Sequence, residues 1–278
     1  MAKQLISARG VDCPGAKQEW GLADYPYPFS HVFVTAENGF CWGCFGRGIS
    51  EVPDASTICQ GLANLQWVMQ IASLECPSNP HPCISGAVCS KSPCAGITFT
   101  VNGICQNCAN RLLLPAGIDV NKAPGNEIAT FLFGKFGLGR LELMDRVTKA
   151  ADRANSIEVG AVSSDDLKAV LGLIESEEQD EYKIILGDMQ EFLGIKIPDL
   201  PASTQNQIEI VHGHLYDQRT ETYEDYLKNG LGLEAYRTTM KKHALAAFSE
   251  IETEIGQKGF QQIFGVSPQV AAHYGFGQ

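Results

Sequence analysis

The chain has 278 residues, 44% of them hydrophobic and 19% charged, with a formal net charge of -11. That composition excludes collagen-like and wholly disordered chains, and the length allows one large core or two smaller ones. No uninterrupted apolar run approaches the roughly 18 residues of a membrane-spanning helix.

Charge and cysteine divide the chain in the same way. Residues 1–125 carry 7 Lys/Arg and 8 Asp/Glu, and residues 126–278 carry 14 and 24, so the acidity belongs to the second half. A surface of that sign disfavours nucleic acid and anionic membrane as partners. All ten cysteines lie between Cys13 and Cys108. The start, Met1-Ala-Lys-Gln-Leu-Ile-Ser-Ala-Arg-Gly10, leads into no apolar run of the secretory kind. The expected location is therefore the reducing cytoplasm, or the exterior by export without a cleavable signal peptide.

In chain order, residues 1–30 read as an extended lead-in ending in Tyr25-Pro-Tyr-Pro-Phe-Ser30, which cannot propagate a helix. His31-Val-Phe-Val-Thr-Ala36, Glu37-Asn-Gly39 and Phe40-Cys-Trp-Gly-Cys-Phe45 read as strand, turn and strand. Ile58, Leu62, Leu65, Met69 and Ala72 recur at helical steps and predict a helix from about Asp54 to Cys76. Residues 77–95 are a Pro/Ser/Gly/Cys loop. Gly96-Ile-Thr-Phe-Thr-Val101 predicts a strand, Asn102-Gly103 a turn, and Cys105 to Leu114 a short helix stopped by Pro115.

Beyond residue 138 the pattern is amphipathic and helical. Leu143, Val147, Ala151 and Ala154 form one stripe, and Leu167, Val170, Leu171 and Ile174 another, which Ser163-Ser-Asp-Asp166 could cap. Ile185, Met189, Phe192 and Leu193 form a third stripe, which Gly194 can close. After the linker-like Lys196-Ile-Pro-Asp-Leu-Pro201 come Tyr236, Met240, Ala244, Ala247, Ile251 and Ile255. The expected organisation is α+β: a Cys-rich domain over residues 1–137, then an acidic all-helical domain over residues 138–278.

Cys105 carries the most chemical promise. At the start of a helix, orphan N–H groups and the positive end of the dipole favour a thiolate, the nucleophilic form. The same N–H groups could hold an oxyanion. His31, on an upstream strand, is the candidate base. Histidine before cysteine, with the cysteine in Gly96-Ile-Thr-Phe-Thr-Val-Asn-Gly-Ile-Cys-Gln-Asn-Cys-Ala-Asn-Arg111, resembles the circularly permuted papain-like fold typified by lecithin:retinol acyltransferase. The resemblance covers about residues 25–120. It implies a cysteine hydrolase (thiol protease or amidase) or acyltransferase that takes a peptide or acyl substrate through a thioester. Asn107-Cys108 resembles the pair that opens the nucleophile helix of the acyltransferase branch, so Cys108 competes with Cys105 for the nucleophile's place. No cofactor is expected, and the helical domain would cover the site, select substrate or bind a protein partner.

Rival readings attach to the same residues. Cys41-Trp-Gly-Cys44 and Cys105-Gln-Asn-Cys108 could form a four-thiolate zinc site in a binding module without catalysis. Cys105-Gln-Asn-Cys108 could also be a redox pair. Cys76, Cys83, Cys89 and Cys94 cluster where disulfides would order a loop. His212-Gly-His214 offers two metal ligands, whereas His81 and His243 read as ordinary loop and helix residues.

Overall fold

The computed structural model describes residues 3–12, 30–36, 41–43, 69–77, 97, 99–113, 125–138 and 181–276. The chain forms two compact units, one of residues 1–126 and 135–181, the other of residues 127–134 and 182–278. The stripes at 143–154 and 167–174 and the cysteines at 13, 44, 59, 83, 89 and 94 lie outside the described residues.

In the first unit, β1 (Lys3–Asp12), β2 (Ser30–Ala36), β3 (Cys41–Gly43) and β4 (Met69–Pro77) form an antiparallel sheet in the order β3-β2-β1-β4. β1 pairs Ile6 with Ala36 and Asp12 with Ser30 on one side. On its other side it pairs Lys3 with Pro77 and Gly10 with Met69, with a register shift between Ala8 and Arg9. Residues 3–12 of the lead-in are therefore a central strand, and the last third of the expected helix over residues 54–76 is an edge strand. Backbone pairing along β1 supplies the hydrogen bonds that a helix would have supplied internally, and so decides an apolar run whose periodicity is ambiguous. Val32 and Val34 alternate onto one buried face of β2, against which α1 (Cys105–Leu113) packs.

The second unit contains only helices among its described residues. α2 (Asn126–Phe133) contributes all but its first residue to it. The rest are α3 (Glu181–Lys196), α4 (Ala202–Lys228), α5 (Leu233–Phe264) and α6 (Pro268–Phe276). Ile185, Met189 and Leu193 bury the inner face of α3, and Tyr236, Met240, Ala244, Ala247 and Ile251 that of α5. α5 breaks at Gly256, where φ is 75° and ψ 161°, and ends at Gly265 in the left-handed conformation.

The expected fold class, α+β with a permuted papain-like domain, is overturned. Six helices make up most of the described chain, and the strand expected over residues 96–101 does not form. Phe99 and Gly103 make an isolated bridge around a tight turn, closed by Thr100 N–H donating to Gly103 O at 2.8 Å. Thr100 itself sits at a φ of 67°, which no strand tolerates. The strand-turn-helix that carried the resemblance is thus a turn-helix, and the sheet is built from other segments.

Candidate functional site

Two buried clasps, one in each unit, hold a piece of chain by its carbonyl groups. In the first unit the clasp lies on α1. Asn107 Oδ1 accepts from Ile104 N–H at 2.9 Å, the reach-back half of a capping box, and so fixes the start of the helix. On the same face Asn107 and Asn110 donate through Nδ2 to Lys135 O, at 3.3 and 2.8 Å. Arg111 donates to Phe136 O at 2.5 Å and to Leu138 O at 2.6 Å. Leu138 N–H returns to Asn102 O at 2.7 Å. Gly137, at a φ of 75°, lets this loop lie so close that a Cβ there would stand 2.6 Å from Asn102 O. Asn107, which carried part of the family resemblance, and Arg111 are thus structural donors to the 135–138 loop.

The candidate nucleophiles stand on the same helix. Cys105 is 5% exposed, its Sγ donates to Gln106 Oε1 at 3.1 Å, and Cys108 is fully buried. Neither is in a disulfide. His31 sits in β2 opposite Val11, and β2 packs against α1, but the His31 ring lies outside the described residues. The cysteine hydrolase or acyltransferase reading is overturned with the strand that would have presented its nucleophile. No catalytic triad geometry is formed among the described residues. Thiol protease, amidase and papain-like fall with it.

Among the described residues no group of three or more His, Cys, Asp or Glu able to hold a metal is present, and Cys44, one of the four thiolates of the zinc alternative, lies outside them. His212 and His214 do not act together. They lie two residues apart on α4, where the helix sends them to different faces: His212 is buried and His214 exposed.

His212 belongs instead to the second clasp. α2 buries Ile128, Ala129, Phe131, Leu132 and Phe133 together with Thr130, and Phe131 lies among Phe248, Phe264 and the His212 ring. Gly134, at a φ of 71°, ends α2 by donating its N–H to Thr130 O at 2.8 Å. The next carbonyls in the last turn have no partner within the helix. α4 supplies one to each of two of them: His212 Nε2 lies 2.9 Å from Phe131 O, and Arg219 Nη1 donates to Leu132 O. Both side chains are almost fully buried, at 2% and 4% exposure.

Because a carbonyl can only accept, His212 carries its proton on Nε2, and its buried Nδ1 has no hydrogen-bond partner among the described residues. Its ring stacks on Tyr182 at 5.7 Å between centroids and meets Phe131 edge-on at 5.0 Å. Burial pushes its pKa down to about 4, helped by the positive charge of Arg219 and opposed by the hydrogen bond to Phe131 O. Arg219 lies over the Tyr216 ring, 4.6 Å from its centroid. At the other end of α2, Glu127 in the first turn pairs with Lys196 at 2.5 Å.

The sequence did contain a signal for this clasp. Ile208, Val211, His212, Leu215, Arg219 and Thr222 are all buried along one face of α4. A histidine and an arginine seven residues apart within an apolar stripe must be hydrogen-bonded there, since burial without a partner is costly.

No family model, curated protein or solved structure matches the chain. Among the described residues no helix is long and apolar enough to cross a membrane.

Proposed function

We propose that the helical unit is a protein-docking module that works by the helix-in-groove mode, with α2 as the helix that fills its groove at rest. The observation that supports this most is the capping of the last turn of α2 by two buried side chains, His212 on Phe131 O and Arg219 on Leu132 O. Those contacts read backbone carbonyls and so do not depend on one particular sequence. The surrounding Phe248, Phe264 and Phe276 rings require apolar side chains on the helix, and Lys196 favours a carboxylate in its first turn. A protein partner would present such a helix, about eight residues long and closed by glycine, in place of α2.

The test uses the full chain with Phe131→Asp, which opposes docking of its own α2, and a fluorescent peptide of residues 126–134. The peptide is expected to bind this variant and to bind the unaltered chain at least about tenfold more weakly, because the resident helix competes. A variant that keeps its helical circular dichroism and binds no peptide would overturn the reading.

A further inference from the structure

We propose that the α2 groove is an acid-released latch, in which protonation of His212 frees the helix that it caps. The inference rests on the docking reading only for its consequence, release of the groove to a partner. The latch itself is a property of the intact chain.

Four observations converge on it. His212 grips α2 through the neutral Nε2–H form, on a carbonyl at 2.9 Å. Its second nitrogen is buried, and among the described residues none accepts a hydrogen bond from a proton added there. Arg219, already cationic, grips the adjacent carbonyl from the same face of α4, so protonation would place two positive charges side by side in a buried site. The imidazole is also enclosed between Tyr182 and Phe131.

The titratable and charged groups facing it are Arg219 on its own helix and Tyr182 on α3. α2 presents the Phe131 carbonyl and ring to it, and the one ionisable side chain of α2, Glu127, pairs with Lys196 at the other end of that helix. Among the described residues no carboxylate contributes to the shift of its titration. A released His212 would regain an ordinary imidazole's affinity for protons, and the held ring resists protonation down to about pH 4. The difference makes acid favour release, by roughly 20-fold between about pH 7 and about pH 5.

The test is hydrogen exchange of the full chain at about pH 7 and about pH 5, with rates divided by the intrinsic rate at each pH. Protection of residues 130–134 is expected to fall by roughly 20-fold on acidification, while that of α1 changes by less than about threefold. In His212→Gln, whose amide can donate to Phe131 O but cannot titrate, the fall is expected to vanish. The latch is overturned if the unaltered chain shows no selective loss at α2, or if His212→Gln loses protection to the same extent. Should the glutamine variant lack protection already at pH 7, the ratio of α2 to α1 in the unaltered chain decides. The docking reading fails separately, by absence of peptide binding at pH 7.

Discussion

The two clasps solve one problem with different chemistry. On α1, Asn107, Asn110 and Arg111 hold the carbonyls of residues 135, 136 and 138. On α4, His212 and Arg219 hold those of residues 131 and 132. Amides and guanidinium keep their charge state at any physiological pH, whereas imidazole does not. The first clasp is therefore a permanent fastening. The second depends on a group that burial must keep neutral, and it alone can respond to acid.

The largest expected effect concerns the core that α2 completes. Phe131→Ala should lower the stability of the helical unit by about 3–5 kcal/mol, read as a loss in the denaturant-unfolding free energy followed by helical ellipticity. A loss below about 1 kcal/mol would mean that α2 is not integral to that core.

Next comes pH. His212 has a folded pKa of about 4 against an ordinary value of 6.5, so its neutral form is the one favoured by folding. Its contribution is intact above about pH 6.5 and is lost as pH falls towards 4, because the unfolded or released state takes up a proton that the folded state refuses. The loss should reach about 3 kcal/mol. Unfolding midpoints across that window should fall in the unaltered chain and stay level in His212→Gln.

Smaller effects sharpen the contrast. Arg219→Met should cost about 1–3 kcal/mol by leaving Leu132 O buried without its donor. Arg111→Met should cost a similar amount through Phe136 O and Leu138 O, but without altering the pH profile. Unfolding curves of both variants at two pH values separate the clasps. Weakest is Lys196→Met, since the pair with Glu127 is partly exposed, and the expected cost is below about 1 kcal/mol in the same assay.

The sequence made the helical half legible where apolar spacing is long and regular. In the Ile185, Met189, Phe192, Leu193 stripe and the Tyr236-to-Ile255 stripe every member but Phe192 and Ile255 is buried, as that spacing implies. Lys196 to Pro201 interrupts the helices where its prolines require. Residues 69–77 misled because Met69 and Ala72 continue a helical stripe, while pairing with distant β1 decides their state. That is long-range information a local window cannot hold. Gly96 to Val101 misled for the opposite reason: a β-rich composition is overridden by a local turn at Thr100.

The site was the least legible part. Cys105, Cys108 and Asn107 drew attention through residue type, but Asn107 serves the start of α1 and the loop it holds. His212 stands beside His214 in the sequence, but His214 faces elsewhere. The true partner of His212, a carbonyl 81 residues earlier, carries no side-chain signature.

The most direct measurement of the central claim is the ¹⁵N chemical shifts of the His212 ring in the intact chain as pH is lowered. The expected result is a neutral ring with its proton on Nε2 that persists through about pH 5.5 and takes up a second proton only near 4. A ring that titrates near 6.5, or that carries its proton on Nδ1 at neutral pH, would contradict it.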